Sequence, residues 1–127
     1  MTATLAAIFI CRDVERDADG VISATNIIDA IDFETFPVRV DLAVVVKLID
    51  ATGPLTVRVH YIREGTGQVV YDLEASPPGV TGQRLQTFLA PDLYFFNQPD
   101  AFRVRVIVNG NDIGGTYFRV GMRSRMN

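Results

Sequence analysis

The sequence predicts an all-β protein, an antiparallel β-sandwich of about eight strands. Three observations carry that expectation. The closing segment AFRVRVIVNGNDIGGTYFRVG alternates apolar and polar residues on either side of an Asn-Gly turn, among the strongest short-range hairpin signals. Short runs rich in β-branched and aromatic residues recur along the chain, separated by Gly, Pro, Asn and Asp. Nowhere does an apolar i, i+3, i+4, i+7 pattern persist for three turns between caps.

The strands follow in order. Residues 5–11 form the first run. The turn Asp17-Ala18-Asp19-Gly20 leads into a strand over 21–31, and an irregular stretch around Phe36-Pro37 precedes a strand over 40–49. The segment 27–36, IIDAIDFETF, is the best place for one short helical turn. The breaker Asp50-Ala51-Thr52-Gly53-Pro54 introduces 55–63, and Glu64-Gly65-Thr66-Gly67 turns into 68–74. The Pro- and Gly-rich stretch 76–82 is loop, followed by a strand over 84–89. The closing hairpin places Phe102, Val104, Val106 and Val108 on one face, turns at Asn109-Gly110-Asn111-Asp112 and returns through Ile113 to Val120.

At 127 residues the whole chain, 1–127, reads as a single domain. Its 48% hydrophobic and 21% charged content is that of a folded domain with a core of its own. Residues 1–50 carry nine acidic and four basic side chains, a net of −5. Residues 51–127 carry six acidic and eight basic, a net of +2. The pI near 5.0 and the single lysine, Lys47, count against nucleic acid as a partner. One cysteine, Cys11, excludes an intramolecular disulfide and suits a reducing compartment. The apolar run before Cys11 has no basic region ahead of it and is too short to span a bilayer. It reads as the first strand of a cytoplasmic protein, or of a virion protein if phage-encoded, with no membrane partner.

Catalytic constellations are scarce. Cys11 and His60 are each the only residue of their kind, which leaves a metal site at least one ligand short. Cys11 follows Ile8-Phe9-Ile10 and reads as a small buried hydrophobe. None of Ser23, Ser76 and Ser124 sits in a nucleophile elbow. Gly65-Thr66-Gly67 and Gly114-Gly115 open no helix and so cradle no phosphate. The ladder Glu15, Asp17, Asp19 imitates the opening of a calcium loop, but Asn26 stands where a bidentate Glu belongs. It reads as a solvated turn. The expectation is no enzyme, no catalytic residue and no cofactor.

Surface features are richer. Residues 40–49 are apolar on both phases, with Val45 and Ile49 opposite Leu42, Val44, Val46 and Leu48. Such a strand is covered on both sides or offers its outer face to a partner. Tyr94, Phe95 and Phe96 cannot all point inward from one strand, because side chains alternate faces. Either the chain bends there or a ring is exposed. Arg58, Arg103, Arg105 and Arg119 would line one sheet face if their strands are neighbours, with Asp72 and Glu74 as cross-strand partners.

Ile10-Cys11, Asp13-Val14-Glu15, Gly20 and Ser23, together with Phe102 through Gly110, resemble the two ends of a family of small uncharacterised bacterial and phage proteins. In that family an acidic segment and a Gly turn follow a strand ending in Cys, and the chain closes in an aromatic-x-Val-x-Val-x-Val-Asn/Asp-Gly hairpin. Glu15 stands where Arg is more usual, and the middle third does not align. The resemblance implies an immunoglobulin-like β-sandwich and no activity.

The expected function is a non-enzymatic protein-interaction or self-assembly module. Its partner is another protein or a second copy, met through Val45, Ile49, Tyr94, Phe95 and Phe96, with arginines setting register. The alternative is a small-molecule or glycan-binding sandwich using Tyr94, Asn97 and Asp100 in the loop near residues 94–100.

Overall fold

The computed structural model describes residues 3–19, 22–50, 53–75 and 86–123. They form nine strands and no helix: β1 (Thr4–Arg16), β2 (Ile22–Ile28), β3 (Ala30–Phe33), β4 (Val38–Ile49), β5 (Val57–Arg63), β6 (Val69–Ala75), β7 (Gln86–Phe96), β8 (Asp100–Val108) and β9 (Asn111–Met122). Sheet 1 runs β2-β1-β4-β7, and sheet 2 runs β3-β9-β8-β5-β6. All pairs are antiparallel except β3 with β9.

The closing hairpin forms as its sequence dictates. Asn109 and Gly110 have φ of 49° and 86°, the two positive values a two-residue I′ turn demands, and Val108 pairs with Asn111 directly beyond them. Asn109 also ties this turn to the segment leading into β5, accepting the Thr56 N–H at 2.8 Å and donating to the Pro54 carbonyl at 3.3 Å. Inward residues of both sheets meet in one core. Val44, Val46 and Leu48 face Val59, Val104 and Val106, with Tyr61, Tyr94, Phe96, Phe102 and Phe118 packed among them. Tyr61 of sheet 2 lies 5.1 Å, ring to ring, from Tyr94 of sheet 1. Aromatic pairs of this kind add about 0.5–1.5 kcal/mol each beyond their buried area.

Two expectations are corrected. Residues 27–36 contain no helical turn: β2 ends at Ile28, and after Asp29 the chain leaves sheet 1 and enters sheet 2 as β3. Ile31 and Phe33 pack on the main core while Asp32 is exposed, which is strand alternation, and the Asp29 carbonyl accepts the Arg119 N–H at 3.0 Å. This change of sheet turns the expected strand over 21–31 into two, giving nine strands. The strand expected over 84–89 instead runs through to Phe96; residues 84 and 85 lie outside the described residues. Pro91 does not end it, because β7 is an edge strand, the position in a sheet where proline is tolerated. The expected loop over 76–82 lies outside the described residues.

Candidate functional site

The doubly apolar strand resolves first. Val45 faces away from the main core and pairs with Phe9, yet it is 0% exposed. With Cys11 and Ala43 it forms a second apolar cluster on the outer side of sheet 1, packed by Phe9, Val14 and Ala24. Val45 is therefore interior and cannot meet a partner, contrary to the expectation. β4 sits between β1 and β7, so its outward side chains have neighbours to pack against, where an edge strand's would not. Ile49, at the end of β4, lies at the surface.

The aromatic triplet divides by strand parity. Tyr94 and Phe96 point into the core and are buried, which removes them from any docking surface. Phe95 between them is 43% exposed and Leu93, two residues earlier, 53%. The Arg39 guanidinium lies 5.8 Å over the Phe95 ring, a cation–π contact from the paired position on β4.

The four arginines do share one face. Because β9, β8 and β5 are neighbours, register puts His60 opposite Arg105, Ile62 opposite Arg103, Arg103 opposite Tyr117 and Arg119 opposite Ala101. Their charges are treated differently. Arg58 pairs with Asp72 at 2.9 Å and Glu74 at 3.4 Å, the cross-strand partners expected of it. Arg105 forks onto Asp112, with donor–acceptor distances of 2.7 and 3.0 Å. That hydrogen bond, joined by the Gly114 N–H, holds the Asp112 carboxyl below the usual carboxylate range. Among the described residues Arg103 and Arg119 form no ion pair. Tyr117, directly opposite Arg103 and two residues from Arg119, is 65% exposed, more than any other large apolar side chain described. Sequence reasoning missed Tyr117. The signal was its position on the same phase as Arg119, in a strand whose other phase holds Phe118 and Val120.

The remaining candidates separate. Glu15 lies one residue before the end of β1, and Asp17 caps its own turn, accepting the Asp19 N–H at 2.9 Å. Among the described residues no three His, Cys, Asp or Glu side chains gather as a metal site, the calcium candidates Glu15, Asp17 and Asp19 included. Cys11 lies in the outer cluster of sheet 1 and His60 on the outer face of sheet 2, so the sandwich stands between them. Burial, reinforced by Asp13, pushes the Cys11 thiol above its usual range, and the sulfur donates weakly to the Ala43 carbonyl. His60 Nε2 is 3.2 Å from Asp72.

Asn97 and Asp100 of the expected ligand loop line a cleft of about 420 Å³ between the ends of β6 and β7. Tyr94 lies behind it in the core. No helix of the described residues is long and apolar enough to cross a membrane. No family model matches the chain, and no curated protein matches its sequence. What the molecule does is therefore read from its own surface.

Proposed function

We propose that this protein is a non-catalytic self-assembly module, and that the outer face of sheet 2 around Tyr117 receives a second copy of the chain. The observation that carries the proposal is an exposed tyrosine flanked by Arg103 and Arg119, two exposed guanidiniums that form no salt bridge with a carboxylate of the described residues. Tyr and Arg supply most of the binding energy at protein interfaces, and such a site calls for a carboxylate-bearing partner. The chain carries one. Asp13, Glu15, Asp17 and Asp19 are all exposed at the far end of β1 and in the turn that follows. The acidic end of one copy against the arginine face of the next is a heterologous contact, which builds rings or open chains. The distance between Cys11 and His60 and the inert state of the thiol support a non-enzymatic reading. A lone buried cysteine suits the cytoplasm, or a virion.

Sedimentation velocity from about 10 µM to about 0.5 mM tests this. At low salt the mean mass rises with concentration, and at about 0.5 M salt, where the screening length falls to a few ångströms, it returns to the monomer. Arg103→Glu with Arg119→Glu abolishes association, as does Asp17→Arg with Asp19→Arg. Mixing the two variants restores it. A monomer throughout at low salt, or association that neither charge reversal alters, overturns the proposal.

A further inference from the structure

The cleft between β6 and β7 points to a second capacity, independent of the arginine face. Its volume of about 420 Å³ lies in the range of small-molecule sites, roughly 300–1,000 Å³. Three properties of its lining define the chemistry it accepts.

The first is charge. Arg63 Nε donates to Asp100 Oδ2, and Asp100 Oδ1 accepts the Ala101 N–H at 2.9 Å. The two charges cancel, so the lining offers an ion no net attraction. The second is hydrogen bonding. Asn97 and Gln98, both exposed, line the same cleft, and no hydrogen bond within the described residues engages either side-chain amide. A primary amide holds a donor and an acceptor side by side, which matches hydroxyl groups that both donate and accept. The third is an aromatic edge: the half-buried Tyr71 ring borders the cleft, with Phe96 behind it in the core and the Phe95 ring turned to the outer face of sheet 1 under Arg39. A flat ring suits the C–H face of a pyranose, with weak C–H contacts aligning it.

That edge is held in place before any ligand arrives. The Tyr71 hydroxyl donates to the Phe95 carbonyl at 2.6 Å and accepts the Phe95 N–H at 2.9 Å, joining the edge strands of the two sheets. The opposite wall is tied by backbone bonds from Arg63 to Gln68, 2.8 Å, and from Glu64 to Ala101, 3.0 Å. Pre-organisation of this kind lowers the ordering cost of binding.

We infer that this cleft binds an uncharged saccharide, its ring on the Tyr71 side chain and its hydroxyls on the amides of Asn97 and Gln98. The test is a ¹H–¹⁵N titration of the full chain with uncharged mono- and disaccharides at up to about 10 mM, alongside adenosine and cytidine. At least one saccharide moves the Asn97 and Gln98 side-chain amide resonances in a saturable manner. Asn97→Ala with Gln98→Ala weakens that affinity at least tenfold and leaves the melting temperature unchanged, since both residues are exposed. Tyr117→Ala leaves the affinity unchanged. Three outcomes overturn the inference: no saccharide shifts these resonances, the double variant binds as well as the parent, or only the nucleosides bind.

Discussion

Replacing Tyr71 by Phe removes one oxygen atom and tests whether a single hydroxyl holds the two sheets together at their open side. The ring keeps its edge-to-face contacts with Tyr61 at 5.8 Å and Tyr94 at 4.8 Å, so packing is preserved. What is lost is the pair of bonds at 2.6 and 2.9 Å that close the carbonyl and the N–H of Phe95 on the outer edge of β7. A typical net contribution is about 0.5–1.5 kcal/mol per bond, so two bonds bound the effect at about 1–3 kcal/mol. The groups lie near solvent, and water recovers part of that, which places the expected loss at about 1–1.5 kcal/mol. Urea unfolding followed by intrinsic fluorescence measures it as a lower midpoint at constant slope. Thermal unfolding shows a drop of about 4 °C. Hydrogen exchange supplies the local readout: the Phe95 amide exchanges about tenfold faster, as the equivalence of 1.4 kcal/mol to a factor of ten requires. A midpoint within error of the parent, with Phe95 exchange unchanged, refutes the reasoning.

Gly115→Ala places a methyl group onto the Val104 carbonyl oxygen of the adjacent strand, with no flexible side chain to yield. It costs at least about 3 kcal/mol or prevents folding, whereas Gly65→Ala, with open space around it, leaves the urea midpoint within about 0.5 kcal/mol of the parent. Val45→Glu buries an unpaired carboxylate in the outer cluster of sheet 1, so circular dichroism finds it unfolded or destabilised by about 4 kcal/mol, not a folded monomer released from an assembly. Asp112 is depressed in the fold, so its contribution is present above the ordinary aspartate pKa of about 4 and is lost as pH falls through the lower folded value. The urea midpoints of Asp112→Asn and the parent therefore converge on acidification below about pH 4, and the gap at neutral pH narrows in high salt because the pair is half exposed.

The fold was legible wherever one local rule decided it. Asn109-Gly110 between alternating strands admits one turn geometry, and the hairpin formed there. The arginine face was legible only conditionally: alternation put Arg58, Arg103, Arg105 and Arg119 on polar phases, and it took the order β9-β8-β5 to join them. Pairing order depends on contacts far apart in sequence, which a periodic pattern does not encode. The change of sheet at Asp29 was invisible for the same reason, since 22–28 and 30–33 read as one strand until their partners, β1 and β9, are known. Val45 shows the converse. Its outward phase was read correctly, but outward from a central strand does not mean exposed, and Phe9, Cys11 and Ala43 fill the space that a partner would need. In the aromatic triplet alternation showed that the three rings could not share a face, but not which pointed outward; the pairing of β7 with β4 sends Tyr94 and Phe96 inward and leaves Phe95 at the surface.

The two sheets use their outer faces differently. In sheet 1 the outward residues at the middle of β1 and β4 form an apolar cluster of their own, which contributes to stability, while Ile27, Leu93 and Phe95 stay exposed on its flanking strands. In sheet 2 the outward side chains of β5 and β8 are polar or half-buried, and these interior strands are fixed by the main core beneath. Substitutions on that face can change recognition without reaching the hydrophobic interior. The same holds for Asn97 and Gln98, which sit beyond the last core residue of β7. Tyr117 and the cleft amides thus lie where folding makes the fewest demands. Arg58 and Arg105, each locked to carboxylates on adjacent strands, show what an arginine on this sheet does when its role is structural. Arg103 and Arg119 share their strand phase but are more exposed and form no salt bridge among the described residues, which is why a partner's carboxylates are proposed for them.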